Sequence, residues 1–160
     1  LYREGRLPKR ICHCDTKVNN MLFDEAGGVL CVIDLDTVMP SFIFSDYGDF
    51  LRTAANATRE DDPDIDHVSL RWDVVESFTK GYIEGTHHFL LPIERELLPF
   101  AMQLFPYMQC VRFLTDYING DTYYKTTYPA HNLDRARNQY RLFELTLVGQ
   151  DRLQHFIDTL

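Results

Sequence analysis

His13-Cys14-Asp15-Thr16-Lys17-Val18-Asn19-Asn20, followed one hairpin later by Val29-Leu30-Cys31-Val32-Ile33-Asp34, is the stretch on which the fold and chemistry of this chain turn. The first segment is polar and loop-like. The second is short, apolar and β-branched, and reads as a buried strand. Met21-Leu22-Phe23 and the turn signal Asp24-Glu25-Ala26-Gly27-Gly28 complete a β-hairpin with a longer loop. This hairpin is the only β element the pattern predicts. Its second strand runs straight into Asp34-Leu35-Asp36, so carboxylates sit at its C-terminal end.

Asp15 and Asn20, five residues apart in an irregular loop, can face one site, and Asp34 faces the same place from the strand. A carboxylate and an amide oxygen form a hard-oxygen pair that suits Mg²⁺, which takes its remaining ligands from water and phosphates. A second, metal-free carboxylate can then accept a proton from an attacking hydroxyl. That inventory serves phosphoryl transfer, which is mostly positioning and charge neutralisation. On this reading Asp34 and Asn20 hold Mg²⁺ and Asp15 is the catalytic base. Lys17 stabilises the transferred phosphoryl group, and His13 packs the loop. Asp34-Leu35-Asp36 also has the form of a glycosyltransferase metal motif, but the nucleotide-binding βαβ region that should precede it is missing.

Outward from the hairpin the pattern turns helical. Ser45 is a plausible N-cap, with Asp46 and Asp49 in the first turn. Residues 58–67 read as an acidic, solvated loop, and 69–85 as a helix. Leu91-Pro92-Ile93 opens another helix, which Pro99 and Pro106 interrupt. Residues 107–119 then carry Met108, Val111, Leu114, Tyr117 and Ile118 on one face. A helix from Asn132 points Ala136, Tyr140, Phe143 and Leu147 inward, and 150–160 form a short amphipathic tail. The expected architecture is mainly α: one β-hairpin followed by a bundle of about five helices.

With 160 residues and 45% hydrophobic content, one packed domain is expected and intrinsic disorder is excluded. The formal charge of −8 disfavours a nucleic-acid partner. No apolar run approaches the roughly 20 residues a membrane span needs. Cys12, Cys14, Cys31 and Cys110 do not form a disulfide framework or a paired zinc motif, which predicts reduced thiols and a cytoplasmic location.

The residues resemble a known family. His13-x-Asp15-x₄-Asn20 with Ile33-Asp34 resembles the catalytic motif of the aminoglycoside phosphotransferase and choline kinase superfamily, which has a protein-kinase-like fold. HCDTKVNNMLFD, CVIDLDTVMP, DYGDFLR and FPYMQCVRFLTDYINGDTYY are similar to the N-acetylhexosamine 1-kinases, some of which go by the description mucin-desulfating protein. The resemblance covers about residues 10–145. It implies Asp15 as catalytic aspartate, Asn20 and Asp34 on Mg²⁺, and Asp49 as the acid that braces the catalytic loop. Relatives often have Gly-Asp-Pro where this chain has Phe44-Ser45-Asp46, which leaves the role of Asp46 open. Arg112, Asp116 and Tyr123 are implied sugar contacts, and Asp36 is a second metal ligand, a sugar contact or a loop staple.

The implied fold is the helical C-terminal lobe, one domain over 1–160. The catalytic loop, hairpin and metal strand occupy 10–50, and a helical acceptor-binding subdomain occupies 66–150. The implied partners are ATP, a small sugar acceptor and an N-terminal lobe of the same chain. The chain opens at Leu1 and contains no Gly-rich phosphate loop, so these residues alone are expected neither to bind ATP tightly nor to turn over. Kinases for aminoglycosides, choline or homoserine share the first motif, and a non-catalytic kinase-like binding module is the alternative of another class.

Overall fold

Three residues on each side close the first sheet. Arg10–Cys12 (β1) pairs antiparallel with Met39–Ser41 (β4), placing Arg10 opposite Ser41 and Cys12 opposite Met39. Met21–Phe23 (β2) pairs with Val29–Val32 (β3), with a bulge between Leu22 and Phe23. The computed structural model describes Leu1–Leu160. One hairpin is expected from the pattern, and the structure has two two-stranded sheets. The tripeptides Arg-Ile-Cys and Met-Pro-Ser are too short to show alternation, and Pro40 is tolerated because β4 lies at a sheet edge. The hairpin turn is built by Asp24, whose Oδ1 accepts the amides of Ala26 and Gly28 at 2.9 and 2.7 Å, with Gly27 at φ 85°. β3 corrects a second expectation: all four of its residues are exposed, because a two-stranded ribbon has no second layer in this chain to cover it.

The rest is helical: Phe44–Ala54 (α1), Trp72–Thr86 (α2), Pro92–Glu96 (α3), Leu98–Ile118 (α4), His131–Val148 (α5) and Gln150–Asp158 (α6). Of the two breaks expected from the prolines one is observed, α3 ending at Glu96 and α4 restarting at Leu98, whereas α4 runs unbroken through Pro106. Pro99 lies in the first turn, where its missing N–H costs nothing. Pro106 is buried mid-helix, so packing on both sides overrides its propensity. α1 can press against α4 because Gly48 has no side chain; a Cβ there would collide with the Ala101 carbonyl and the Phe105 ring.

The main core gathers Tyr47, Leu51, Val75, Leu98, Met102, Leu153 and Ile157 between α1, α2, α4 and α6. A smaller cluster of Cys110, Phe113 and Ala136 joins α4 to α5. Met108, Val111, Leu114, Tyr117 and Ile118 form the outer face of α4, and Tyr140 and Leu147, expected inward, are half exposed. The α5 interior is largely polar: Asn132, Asn138 and Gln139 are fully buried beside Leu142 and Ala136, the latter as expected. Asn138 Nδ2 donates to the carbonyls of Arg59 and Asp62 at 3.0 and 3.4 Å, so the acidic loop is pinned from beneath. All four cysteines are free; Cys12 and Cys110 are buried and Cys31 is exposed. Burial, with the Asp46 carboxylate nearby, pushes the Cys12 thiol up to about 12. No helix is long and apolar enough to cross a membrane.

Candidate active site

The loop from His13 to Asn20 is held from three directions. At the first turn of α1, Asp46 accepts the backbone N–H groups of His13 and Cys14 at 3.0 and 2.8 Å. Thr16 Oγ1 donates to the Asp46 carbonyl at 2.7 Å, and Thr37 Oγ1 to the His13 carbonyl at 2.7 Å. His13 Nδ1 accepts the Asp15 N–H at 3.3 Å, which leaves Nε2–H to donate to the Ile33 carbonyl at 2.9 Å. The imidazole therefore ties the loop to the end of β3. Asp46 shares the bracing expected of Asp49: it holds the His13 and Cys14 N–H groups, while Asp49 faces the loop at the Lys17 N–H. Asp49, one turn further along α1, pairs with Arg52 at 2.9 Å, and Arg52 also reaches Glu60 at 2.8 Å. Burial pushes the Asp49 carboxyl up, with the Arg52 guanidinium pulling the other way.

Asp15, Lys17 and Asn20 form one hydrogen-bonded unit. Lys17 Nζ lies 2.7 Å from Asp15 Oδ2. Asn20 Nδ2 donates to the Asp15 carbonyl at 2.8 Å and to its Oδ2 at 2.9 Å. Asn20 sits at the end of a short 3₁₀ turn, Val18–Asn20, and is almost fully buried. Its backbone carbonyl accepts the Ile33 N–H at 2.9 Å, which fixes Asp34 in the neighbouring position. Burial works against the charge on Lys17, but Asp15, Asp34 and Asp49 outweigh it and raise its pKa. All three carboxylates thus act on one ammonium. Cys14 and Asp34 both have φ 66°, a left-handed conformation uncommon outside glycine. Strain of about 1–3 kcal/mol at such positions clusters where geometry serves function.

The donors present fit a magnesium ion. Asn20 Oδ1 and the Asp34 carboxylate accept no hydrogen bond from the protein, and both are hard oxygens. No three His, Cys, Asp or Glu side chains gather to hold a metal. A cation here would complete its shell with water and phosphate oxygens, as Mg²⁺ does.

The remaining predicted residues separate. Asp36 is exposed in the 3₁₀ turn Leu35–Thr37 and makes no hydrogen bond. Arg112 makes no ion pair with Asp116. Its Nη1 donates to Gln109 Oε1 at 3.2 Å, and its guanidinium lies 6.0 and 5.5 Å from the Tyr123 and Tyr124 rings. Asp116 is buried, and its two oxygens accept the N–H groups of Thr122, Tyr123 and Tyr124 and the amide of Asn132, at 2.8–3.0 Å. It shapes the loop that presents Tyr123, a residue 75% exposed.

Asp15, Lys17, Arg112 and Tyr123 line one cleft of about 480 Å³ between the catalytic loop, α4 and the 121–125 loop. Gln109, Tyr124, Lys125 and Arg135 share it. They are the residues that sequence reasoning missed, because on a helix or in a loop they look like ordinary surface polar groups.

A family model described as Phosphotransferase enzyme family matches residues 2–86, more than half of the chain and the whole of the catalytic loop, hairpin and α1. The chain belongs to this family. The family's chemistry is ATP-dependent phosphoryl transfer to a small molecule, and the observed architecture is its mainly helical lobe, with two small antiparallel strand pairs.

Proposed function

We propose that this chain is the C-terminal lobe of an ATP- and Mg²⁺-dependent sugar kinase that phosphorylates the anomeric hydroxyl of an N-acetylhexosamine. Residues 10–50 carry the chemistry and 66–150 the acceptor. The observation that carries this reading is the Asp15–Lys17–Asn20 unit, whose Asp15 and Lys17 line a cleft walled by aromatic and cationic side chains.

Asp15 orients the acceptor hydroxyl and takes its proton. The freed oxygen forms a bond to the γ-phosphorus in line with the breaking bond to ADP, giving the sugar 1-phosphate and ADP. Lys17 moves from Asp15 toward the charge that develops on the phosphoryl oxygens. Asn20 and Asp34 would hold Mg²⁺, which neutralises charge spread over the phosphates when bound. Tyr123 offers an apolar face to the sugar ring, and Arg112 donates to its polar substituents.

The test is ADP release by the full-length gene product across a panel of N-acetylhexosamines, aminoglycosides, choline and homoserine. Release with an N-acetylhexosamine in the presence of Mg²⁺ is expected. Release only with another acceptor removes the sugar reading, and release with none removes the kinase reading.

A further inference from the structure

The cleft holds five cationic side chains, Lys17, Arg52, Arg112, Lys125 and Arg135, against three carboxylates, Asp15, Asp49 and Glu60. The pairing is uneven. Asp15 pairs with Lys17, and Asp49 and Glu60 both pair with Arg52. Arg112, Lys125 and Arg135 have no carboxylate partner. This excess of positive charge lies in a protein whose formal charge is −8, so it is a local feature and not an average one.

Neutral groups hold these cations in place. Arg112 rests on Gln109 and two tyrosine rings. The Arg135 guanidinium lies 5.4 Å from the Phe113 ring. Its Nη1 donates to the Lys125 carbonyl at 3.3 Å and to Asn132 Oδ1 at 3.1 Å. Arg135 Nε is the one buried side-chain donor in the molecule without an acceptor. Arg135 is half-buried, and its guanidinium has no partner of opposite charge.

Resting on the kinase reading above, we propose that Arg112, Lys125 and Arg135 form an oxyanion subsite at the acceptor end of the cleft. It takes either the phosphoryl group of the phosphorylated product or an acidic group carried by the acceptor. The same charges turn the site against acceptors bearing an ammonium group.

The test is direct binding to the full-length gene product by calorimetry at low salt without nucleotide, which needs no turnover and so stands apart from the kinase reading. The probes are N-acetylglucosamine, its 1-phosphate, glucuronate, glucosamine and inorganic phosphate. The 1-phosphate binding tighter than N-acetylglucosamine and inorganic phosphate supports the subsite with the product as its source. Glucuronate binding tighter than N-acetylglucosamine, with no gain from the 1-phosphate, supports it with the acceptor as its source. In either case Lys125→Gln and Arg135→Gln each weaken the anion about tenfold or more, and added salt weakens it further. Lys125 is exposed, so its variant keeps the test clear of any folding defect. Equal affinities across the probes, glucosamine binding as well as glucuronate, or anion binding unchanged in both variants overturns the proposal.

Discussion

One amide group of Asn20 donates to both oxygens that Asp15 turns toward it, the backbone carbonyl at 2.8 Å and Oδ2 at 2.9 Å. The bond orients the carboxylate assigned as base and, through the same planar amide, turns Asn20 Oδ1 away from Asp15. In the mechanism proposed above, one side chain would therefore couple Asp15 to the cation.

Asn20→Ala removes this coupling and one cation ligand, and should raise the half-saturating Mg²⁺ for phosphoryl transfer by at least about tenfold. Asn20→Asp puts an acceptor where a donor stood, against Asp15, and should lower the rate at saturating Mg²⁺ as well. A Mg²⁺ titration of ADP release checks both; an unmoved midpoint in Asn20→Ala contradicts the assignment.

Asp46 holds the start of the His13–Asn20 loop through the His13 and Cys14 N–H groups, while Asp49 faces the loop only at Lys17. Losing two N–H bonds to a carboxylate should cost Asp46→Ala about 2–4 kcal/mol by urea denaturation. In hydrogen exchange, the amides of His13 and Cys14 should lose protection in Asp46→Ala and keep it in Asp49→Asn.

Asp116 gives a pH signature. Burial opposes its ionisation, but the N–H groups of Tyr124, Tyr123 and Thr122 outweigh burial and hold its carboxyl below the ordinary value. A carboxyl lowered in the folded state stabilises the fold above its unfolded pKa, and that contribution is lost as pH falls through the folded value. The window therefore lies below about pH 4. Stability of Asp116→Asn should fall less steeply than wild type over that range; parallel acid limbs would contradict the role given to this carboxylate.

Glu94 is fully buried and grips Arg10 through two bonds, Nε–Oε1 at 3.1 Å and Nη2–Oε2 at 2.8 Å. Its Oε2 also accepts the Leu91 N–H at 2.9 Å, so it anchors β1 on the start of α3. Truncating Glu94 breaks three hydrogen bonds but leaves an Arg10 that is partly solvated and still bonded to the Phe89 carbonyl, so Glu94→Ala should lose about 1–3 kcal/mol in chemical denaturation.

Much of this was legible in the sequence because local chemistry and global fold agree there. The turn at Asp24–Gly28, the hairpin, the period of α2 and the presence of a helix at α5 follow from residue type and spacing, whereas the buried face of α5 does not. The β1–β4 sheet was not legible, since pairing over about 30 residues leaves no trace in a tripeptide. Pro106 misled because propensity is local while the packing of α4 against α1 and α5 is not. The exposure of β3 could not be read from an apolar run, which has the same composition whether or not a second layer covers it. In the site, spacing placed Asp15, Asn20 and Asp34 near one another but could not tell Asp46 from Asp49, which share a helix and differ by one turn. Lys125 reaches the cleft through the course of the loop whose 122–124 N–H groups Asp116 holds, and Arg135 through the packing of α5 on α4.

The central claim is that Asp15 acts on the acceptor and not on the nucleotide. The most direct measurement compares full-length wild type with Asp15→Asn, reading single-turnover ADP formation beside nucleotide affinity at saturating Mg²⁺ and N-acetylhexosamine. The expected result is a rate lowered by about 10²–10⁴-fold with nucleotide affinity unchanged. A variant that transfers at the wild-type rate, or one that loses nucleotide affinity in the same proportion as rate, contradicts it.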